Sequence, residues 1–396
     1  MKSCALITFL ASAVTLIGSG IVNGQQNGPA IQENETPTLR NFDPTPTLKV
    51  FKTDLHQAKF QVIDIHSHFG FRFKGDRTEL DRYVRAMDKN RIAVSVSLDA
   101  KLGNEEEHLQ FIGDEYGKRI TAFAHIDFQG SGKKDAPETW ACNQLGFVRN
   151  CVEQLRAAKP KGIMGVKFFK SFGLQFKNAD GSLIQIDDTR FDPIWKTCAE
   201  LRLPVIIHTA DPAAFFRPID SKNERWEELS RHPEWSFYGD PFPTREELLL
   251  ARNRVIRRHP KTTFIGAHGA NNSEDLTTVS QWLDKYPNLM VEFASRINEL
   301  GRQPYTARKF FIKYQDRILF GTDGPWPELR LSYYWRFFET YDEYFEYSEK
   351  SPQPQGMWRI YGIGLPEDVL KKIYHKNAIR VIPGIRDAFL AATERK

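Results

Sequence analysis

The sequence predicts a (β/α)8 barrel with long insertions after its fifth and eighth strands, and three observations predict it. Eight short apolar runs of strand character alternate strictly with runs of helical spacing. The chain has 396 residues, long for one ordinary domain but normal for one barrel with added loops. Several apolar runs end in a histidine or an aspartate, at the strand ends where such barrels carry their chemistry.

The elements follow in order. Gln61–His66 reads as the first strand, and Thr78–Lys89 as a helix carrying Leu80, Tyr83, Val84 and Met87 at helical spacing. Ile92–Leu98 is a strand. Glu105–Tyr116 is a helix with acidic residues in its first turn. Ile120–Ile126 and Gly162–Phe169 are strands on either side of a helix at Leu145–Ala158. Asp180–Gly181 marks a turn inside Ser171–Asp188, where a small hairpin is expected. Helix Phe191–Leu201 leads to strand Pro204–His208. Helix Glu246–Arg258, strand Thr263–His268, helix Asp275–Tyr286, strand Leu289–Phe293, helix Tyr305–Tyr314 and strand Ile318–Thr322 complete the alternation, and Glu367–Val381 closes it. The excursions Thr209–Pro243 and Gly324–Leu365 are long and aromatic, as functional walls or lids often are. Trp226, Trp235, Phe237, Tyr238 and Trp326 within them are candidates to wall an apolar or aromatic substrate, or rings that pack on the barrel rim.

Composition excludes several classes. Apolar residues make up 41% of the chain, with 29 Phe, 13 Tyr and 8 Trp, which is too much core-forming material for disorder. The net charge of +5 is spread among mixed charges without a basic block, so no nucleic-acid partner is expected. Lys2, the apolar run Ala5–Ile21 and Val22–Asn23–Gly24 form a secretory signal pattern over residues 1–24, with cleavage before Gln25. Residues 25–47 read as a flexible leader and 48–390 as the barrel. A secreted or periplasmic protein without a stable membrane span after cleavage is the expectation. Cys142 and Cys151 can pair in an oxidising compartment. Three packed thiols, with Cys198, are an equal alternative.

The chemistry begins at Val62–Gly70. Alternation along a strand places Asp64, His66 and His68 on one side and Ile63 and Ile65 on the other. Two imidazoles on one side of a strand end can reach one cation, and neutral imidazole suits zinc and its neighbours. His208, His268 and Asp323 end three further apolar runs. Five metal-type residues at equivalent strand ends favour a metal site over isolated core histidines. In the fourth strand Gly165 and Lys167 share the inward face, while Met164, Val166 and Phe168 face the helices. A lysine near the mouth of the barrel either bridges two metals when carboxylated, binds an anionic substrate group, or reaches solvent; contact with substrate is the preferred reading. In the seventh strand Glu292 can orient a ligand histidine and Arg296 can grip a carboxylate. A purely internal Glu292–Arg296 pair is the alternative. His125 ends the third strand without a partner spacing. His56, His108, His232, His259 and His375 read as surface or capping residues.

Together Asp64–Ile65–His66–Ser67–His68, Gly165–Val166–Lys167, Pro204–Val205–Ile206–Ile207–His208, Gly266–Ala267–His268 and Gly321–Thr322–Asp323 resemble the amidohydrolase superfamily. The resemblance is greater to its amidohydrolase-related branch, with aminocarboxymuconate-semialdehyde and resorcylate-type decarboxylases and several lactonases. It spans Val62 to Ile382, and Lys372–Ala378 resembles the final helix of that branch. It implies one divalent metal ion, zinc foremost, held by His66, His68, His208 and Asp323. His268 would activate or orient water, with Asp323 or His268 moving the proton. It also implies a homodimer. The long insertions after the fifth and eighth strands keep a substrate from being carried over from any one member. Lys167, Arg296 and the aromatic excursions point to a small-molecule substrate, anionic or aromatic. A hydrolase acting on an amide, ester or lactone carbonyl is the first reading. A metal-dependent decarboxylase of an aromatic or unsaturated carboxylate is the second, and a non-catalytic ligand-binding barrel the third. Lys167, Arg296 and Trp326 are the candidate substrate contacts.

Overall fold

The computed structural model describes residues 38, 41 and 44–394. The signal segment expected over 1–24 and most of the expected leader lie outside the described residues. From Leu48 onward the chain forms one compact unit.

Eight parallel strands pair in sequence order: β1 (Val62–Ser67), β2 (Ile92–Lys101), β3 (Ile120–His125), β4 (Ile163–Phe168), β5 (Val205–Ile207), β6 (Phe264–Gly266), β7 (Leu289–Glu292) and β8 (Ile318–Leu319). The last strand returns to the first. The Ile65 N–H donates to the Phe320 carbonyl at 3.0 Å, and the His68 N–H donates to the Gly324 carbonyl at 2.7 Å. Parallel strands with helices between them read as near-continuous apolar runs because both faces are covered. Val62, Val166, Phe168, Val205, Phe264 and Val291 pack outward under the helices. Ile63, Ile65, Val94, Val96, Phe123, Ile206, Ile265, Met290 and Leu319 fill the interior.

Every expected strand and intervening helix is present, with ends moved by a few residues. The hairpin near Asp180–Gly181 is a single bridge between Lys177 and Leu183. Among the described residues, two α-helices of nine residues or more were not anticipated, besides several single-turn ones. Glu328–Glu339 lies inside the second excursion, where Leu331, Tyr334, Trp335 and Phe338 recur at helical spacing behind two prolines. Trp335 stacks on Phe320 with ring centroids 5.3 Å apart, so this helix braces the end of β8. Ile385–Thr393 follows the closing helix and inserts Ile385 and Ala388 among the interior residues. Among the described residues no helix is long and apolar enough to cross a membrane.

The parity expected for β1 is corrected. The Ile65 N–H bonds Phe320 and the His66 carbonyl bonds Asp323, both on the segment just beyond β8, although consecutive residues of a regular strand point opposite ways. The register against β2 also shifts between Asp64 and Ser67. This bulge turns His66 inward together with Ile63 and Ile65, and leaves Asp64 out of the histidine cluster. Asp64 instead accepts from the Thr322 hydroxyl at 2.5 Å and the Thr322 N–H at 3.1 Å, tying β1 to the end of β8. Burial raises its carboxyl to about 7, against the pull of those bonds.

The β4 parity holds: Lys167 points inward, and Gly165 leaves room for the Phe123 ring. A Cβ at Gly165 would lie 2.3 Å from that ring. Gly165→Ala therefore lowers stability by about 1–3 kcal/mol through overpacking, read by urea unfolding.

Cys142, Cys151 and Cys198 are unpaired and buried. Burial pushes the Cys151 and Cys198 thiols up to about 12 and raises Cys142 as well. Raised values keep the reactive thiolate scarce at neutral pH. Iodoacetamide at about pH 8 therefore leaves all three unmodified in the native protein and alkylates them in denaturant. Peptide mass spectrometry reads the outcome, and recovery of a Cys142–Cys151 disulfide would contradict it.

Candidate metal centre

The carboxyl ends of the strands carry the cluster. His66 Nε2 lies 3.3 Å from His68 Nε2. Asp323 Oδ1 lies 3.5 Å from the first and 3.4 Å from the second. These three residues offer ligand atoms all within 4.8 Å of one another.

What makes them donors is behind them. His66 Nδ1–H donates to Glu292 Oε1 at 2.8 Å, and His68 Nδ1–H donates to Asp99 Oδ1 at 2.6 Å. Each carboxylate fixes the tautomer, so both Nε2 lone pairs face the cluster. Glu292 is fully buried, and its remaining capacity is used by the N–H groups of His268 at 3.0 Å and Ala294 at 2.5 Å. A second grouping of His66, His268 and Glu292 is also compact, but there Glu292 is already committed to these hydrogen bonds. Burial holds the His66 imidazole well below its ordinary value, with the Lys167 charge adding to the effect, so it is neutral. Burial acts to raise the Asp323 carboxyl, but the favourable electrostatics of the neighbouring His66 and His68 rings, with the charges of Arg72 and Lys167, hold it below the usual range. Two imidazoles held through Nδ1 and one carboxylate form a donor set that fits a divalent first-row ion.

His268 Nδ1–H donates to the Ala294 carbonyl at 2.7 Å, which leaves its Nε2 as a base. Its ring centroid stands 4.9 Å from that of His66 and 4.5 Å from that of His208. His208 is beside the cluster but turned from it, with Nε2 3.4 Å from Asp211 Oδ1. Lys170 Nζ neutralises Asp211 at 2.5 Å. Burial lowers His208 to about 4 despite Asp211. Lys167 Nζ lies 3.4 Å from His66 Nε2, and burial brings it down to about 8.

Backbone strain concentrates here. Ala210, His268, Ser295 and Asp323 have positive φ of 66°, 56°, 54° and 62°, and each follows one of the strands β5 to β8. Such conformations persist only where surrounding contacts over-determine them, and they gather at functional sites.

The alternative of an internal Glu292–Arg296 ion pair is not found among the described residues. Arg296 instead donates from Nη1 to the Ser295 carbonyl at 2.8 Å and faces a cavity. The aromatic excursions do not wall the apolar part of the site. Trp226 and Tyr238 are exposed, Trp235 stacks on His232, and Phe237 packs against Phe242. Trp326 stands at the rim between the guanidinium groups of Arg72 at 4.0 Å and Arg330 at 3.6 Å. The apolar wall comes from Phe71, Phe128, Phe169, Phe172 and Phe176, around a cavity of about 480 Å³ that reaches His68, His208, His268 and Asp323. His125 lies in that wall, edge-on to Phe169. His108 bonds Ser97 Oγ at 2.7 Å, and His259 caps its helix and bonds Asp192 at 3.0 Å.

Sequence reasoning missed Asp99, Lys170, Asp211 and the Phe128–Phe176 wall. Asp99 carried a signal, since it follows the apolar stretch Ile92–Leu98 within β2 much as the other polar residues follow theirs.

The family model of the amidohydrolases matches residues 63–384. The chain belongs to the amidohydrolase family. No curated protein matches it. Solved structures of similar fold include an uncharacterized TIM-barrel protein from Bordetella bronchiseptica, 15% identical, covering 83% of this chain and 99% of that one with a TM-score of 0.48. A 2,6-dihydroxybenzoate decarboxylase from Rhizobium is 16% identical, with 81% and 98% covered and a TM-score of 0.48. A 4-oxalomesaconate hydratase from Rhodopseudomonas palustris is 13% identical, with 85% and 99% covered and a TM-score of 0.46.

The carboxylates behind the histidines are directly testable. Glu292→Gln and Asp99→Asn each weaken divalent-metal affinity by about 10- to 100-fold, measured by competition with a chromophoric chelator. Unchanged affinity in both variants would mean that packing alone orients the imidazoles.

Proposed function

We propose that this amidohydrolase-family chain is a metal-dependent hydrolase of an amide, ester or lactone bond in a small anionic molecule. The observation that carries the reading is the convergence of His66 Nε2, His68 Nε2 and Asp323 Oδ1 within 3.5 Å of one another, beside an apolar cavity. These three would hold a divalent ion, for which zinc suits the donors best. His208 is the proposed fourth donor. It becomes available when its Nε2 leaves Asp211, whose charge Lys170 already balances. A bound ion supplies Lewis acidity toward a carbonyl and toward water.

The rest of the chemistry belongs to the side chains. Hydrolysis adds the elements of water across the acyl bond: hydroxyl to the carbonyl carbon, and a proton to the departing oxygen or nitrogen. His268 accepts a proton at Nε2, since Nδ1 is held by Ala294, and returns it to the leaving group. Asp323 is the alternative carrier. Lys167, buried beside His66, stabilises negative charge developing on the substrate oxygen. That same cation favours a second reading, loss of carbon dioxide from an aromatic or unsaturated carboxylate seated against Lys167.

Metal analysis by mass spectrometry tests the reading. About one ion per chain is expected, lost when His66 and His68 are both changed to Ala. About two ions would place a carboxylated Lys167 between them, and none in either protein would overturn the mechanism. On substrates that turn over, chelator-sensitive acid release without carbon dioxide supports the hydrolase, and carbon dioxide release supports the second reading.

A further inference from the structure

One turn of left-handed helix follows β6. His268, Gly269 and Asn271 have φ/ψ of 56°/44°, 68°/38° and 54°/35°, and Ala270 among them has φ of 53°. The Asn271 N–H donates to the Ala267 carbonyl at 2.9 Å and closes the turn. For L-residues this hand brings Cβ against the following carbonyl, so residues other than glycine enter it singly rather than in runs. Here three of the four carry side chains. Such a turn persists only where contacts from outside over-determine it.

Two arginines of helix Arg245–Arg258 supply those contacts. They stand two helical turns apart, so they share one face, and both are buried. Arg252 Nη1 donates to the Ala270 carbonyl at 2.5 Å, and its Nε and Nη2 donate to Asn253 Oδ1 at 3.2 and 2.9 Å. Its guanidinium lies over the Trp282 ring at 4.5 Å. Arg245 Nη2 donates to the Asn271 carbonyl and, at 2.9 Å, to Asn272 Oδ1, while its Nε donates to the Asp211 carbonyl at 3.0 Å. The last two carbonyls of the turn are thus each taken by a guanidinium. The Asn271 side chain extends the tie to the end of β5, accepting from the Thr209 N–H at 3.2 Å and donating to the Ala210 carbonyl at 3.1 Å.

Arg252 is the telling member. It is fully buried, and no described carboxylate pairs with it. Burying a guanidinium without a counter-charge is costly. Its neighbours on the buried face of the helix include Leu248, Val255 and Ile256, so packing alone calls for an apolar residue there. What the guanidinium reaches is the carbonyl two residues beyond His268. The turn in its place fixes that histidine at three points. The His268 N–H donates to Glu292 Oε1 at 3.0 Å, its carbonyl accepts from Ser273 Oγ at 2.9 Å, and its Nδ1–H donates to the Ala294 carbonyl at 2.7 Å.

We infer that Arg252, with Arg245 beside it, is a positioning residue for His268: it holds the left-handed turn against its strain and thereby fixes which ring nitrogen of His268 is free of a proton. Its consequence for turnover rests on the reading that His268 carries the proton in hydrolysis.

Histidine-selective 15N NMR of the full chain as purified tests this without a substrate, the His268 signals being assigned by their loss in His268→Gln. In the native chain the Nδ1–H form of His268 is expected to exceed the Nε2–H form by at least about tenfold, the weight of one buried hydrogen bond. Arg252→Gln brings the two forms within about threefold of each other as that bond is lost. Arg252→Lys, which keeps the charge but not the fork, acts in the same direction and serves if the glutamine variant does not fold. Adding Ala270→Gly to either variant restores the native ratio, because glycine takes the left-handed conformation without strain. A missing charge or a packing defect would not be repaired by a glycine at that place. The His66 and His68 signals, tied through Glu292 and Asp99, stay as in the native chain. Mixed forms in the native protein would overturn the inference. So would a ratio that both Arg252 variants leave intact, a shifted ratio that Ala270→Gly does not restore, or an equal loosening of His66 and His68. Metal content and turnover separate this from the hydrolase reading. A chain without metal, or one that turns over as well with His268→Gln, loses the proton role of His268 and keeps the clamp if the ratio responds to Arg252. One ion per chain, turnover that needs His268, and a ratio indifferent to Arg252 do the reverse.

Discussion

The structure depends on two hydrogen bonds, a buried one from His66 to Glu292 and a partly buried one from His68 to Asp99. An imidazole has one proton to place at neutral pH, and each carboxylate takes it on the far side of the ring from the cluster. Without them the rings can flip or change tautomer, and the two lone pairs need not converge. Glu292 does more than orient one ring. It accepts from His66 on β1 and from the backbone N–H groups of His268 and Ala294, at the ends of β6 and β7. One fully buried carboxylate therefore sets the relative positions of three strand ends, and it is tolerated there because each of these donors offsets its desolvation.

Local irregularity is what brings the ligands to one point. A perfectly regular barrel would alternate inward and outward residues, and β1 breaks that rule at Ile65–His66 so that His66 joins the interior. Four residues with positive φ then turn the chain just beyond β5 to β8. Gly321 has the same purpose from the opposite side: a Cβ there would lie 3.0 Å from both Glu292 Oε2 and His66 Cβ. Close approach of β8 to the His66–Glu292 pair requires a residue without a side chain at that position. The barrel supplies the frame, and these departures from regularity supply the aim.

The long excursions divide the labour differently from what their aromatic content suggests. Their rings mostly pack on one another or lie exposed at the rim. Their charged residues Asp211, Arg225, Glu228 and Arg330 line the same cavity as Arg296. The apolar side is built closer to the sheet, by residues just beyond β3 and β4. Aromatic content alone cannot tell a ring that lines a cavity from one that fills a rim, because burial of either is equally favourable.

Most of the architecture was legible in the sequence, since eight apolar runs with helices between them have one common way to bury both sheet faces. The strand-end residues His66, His68, His208, His268, Lys167 and Asp323 were legible for the same reason: each interrupts an apolar run where the chain leaves the sheet. The bulge in β1, the partner of each imidazole, the turning of His208 onto Asp211 and the unpaired state of Arg296 were not. They depend on contacts between residues far apart in the chain, such as His66 with Glu292 and Asp64 with Thr322, and on backbone angles that composition does not encode. By itself the sequence determined which residues reach the mouth of the barrel. Only the tertiary structure decided which of their atoms face one another, because hydrogen-bond geometry at a shared centre is set jointly by all the strands that surround it.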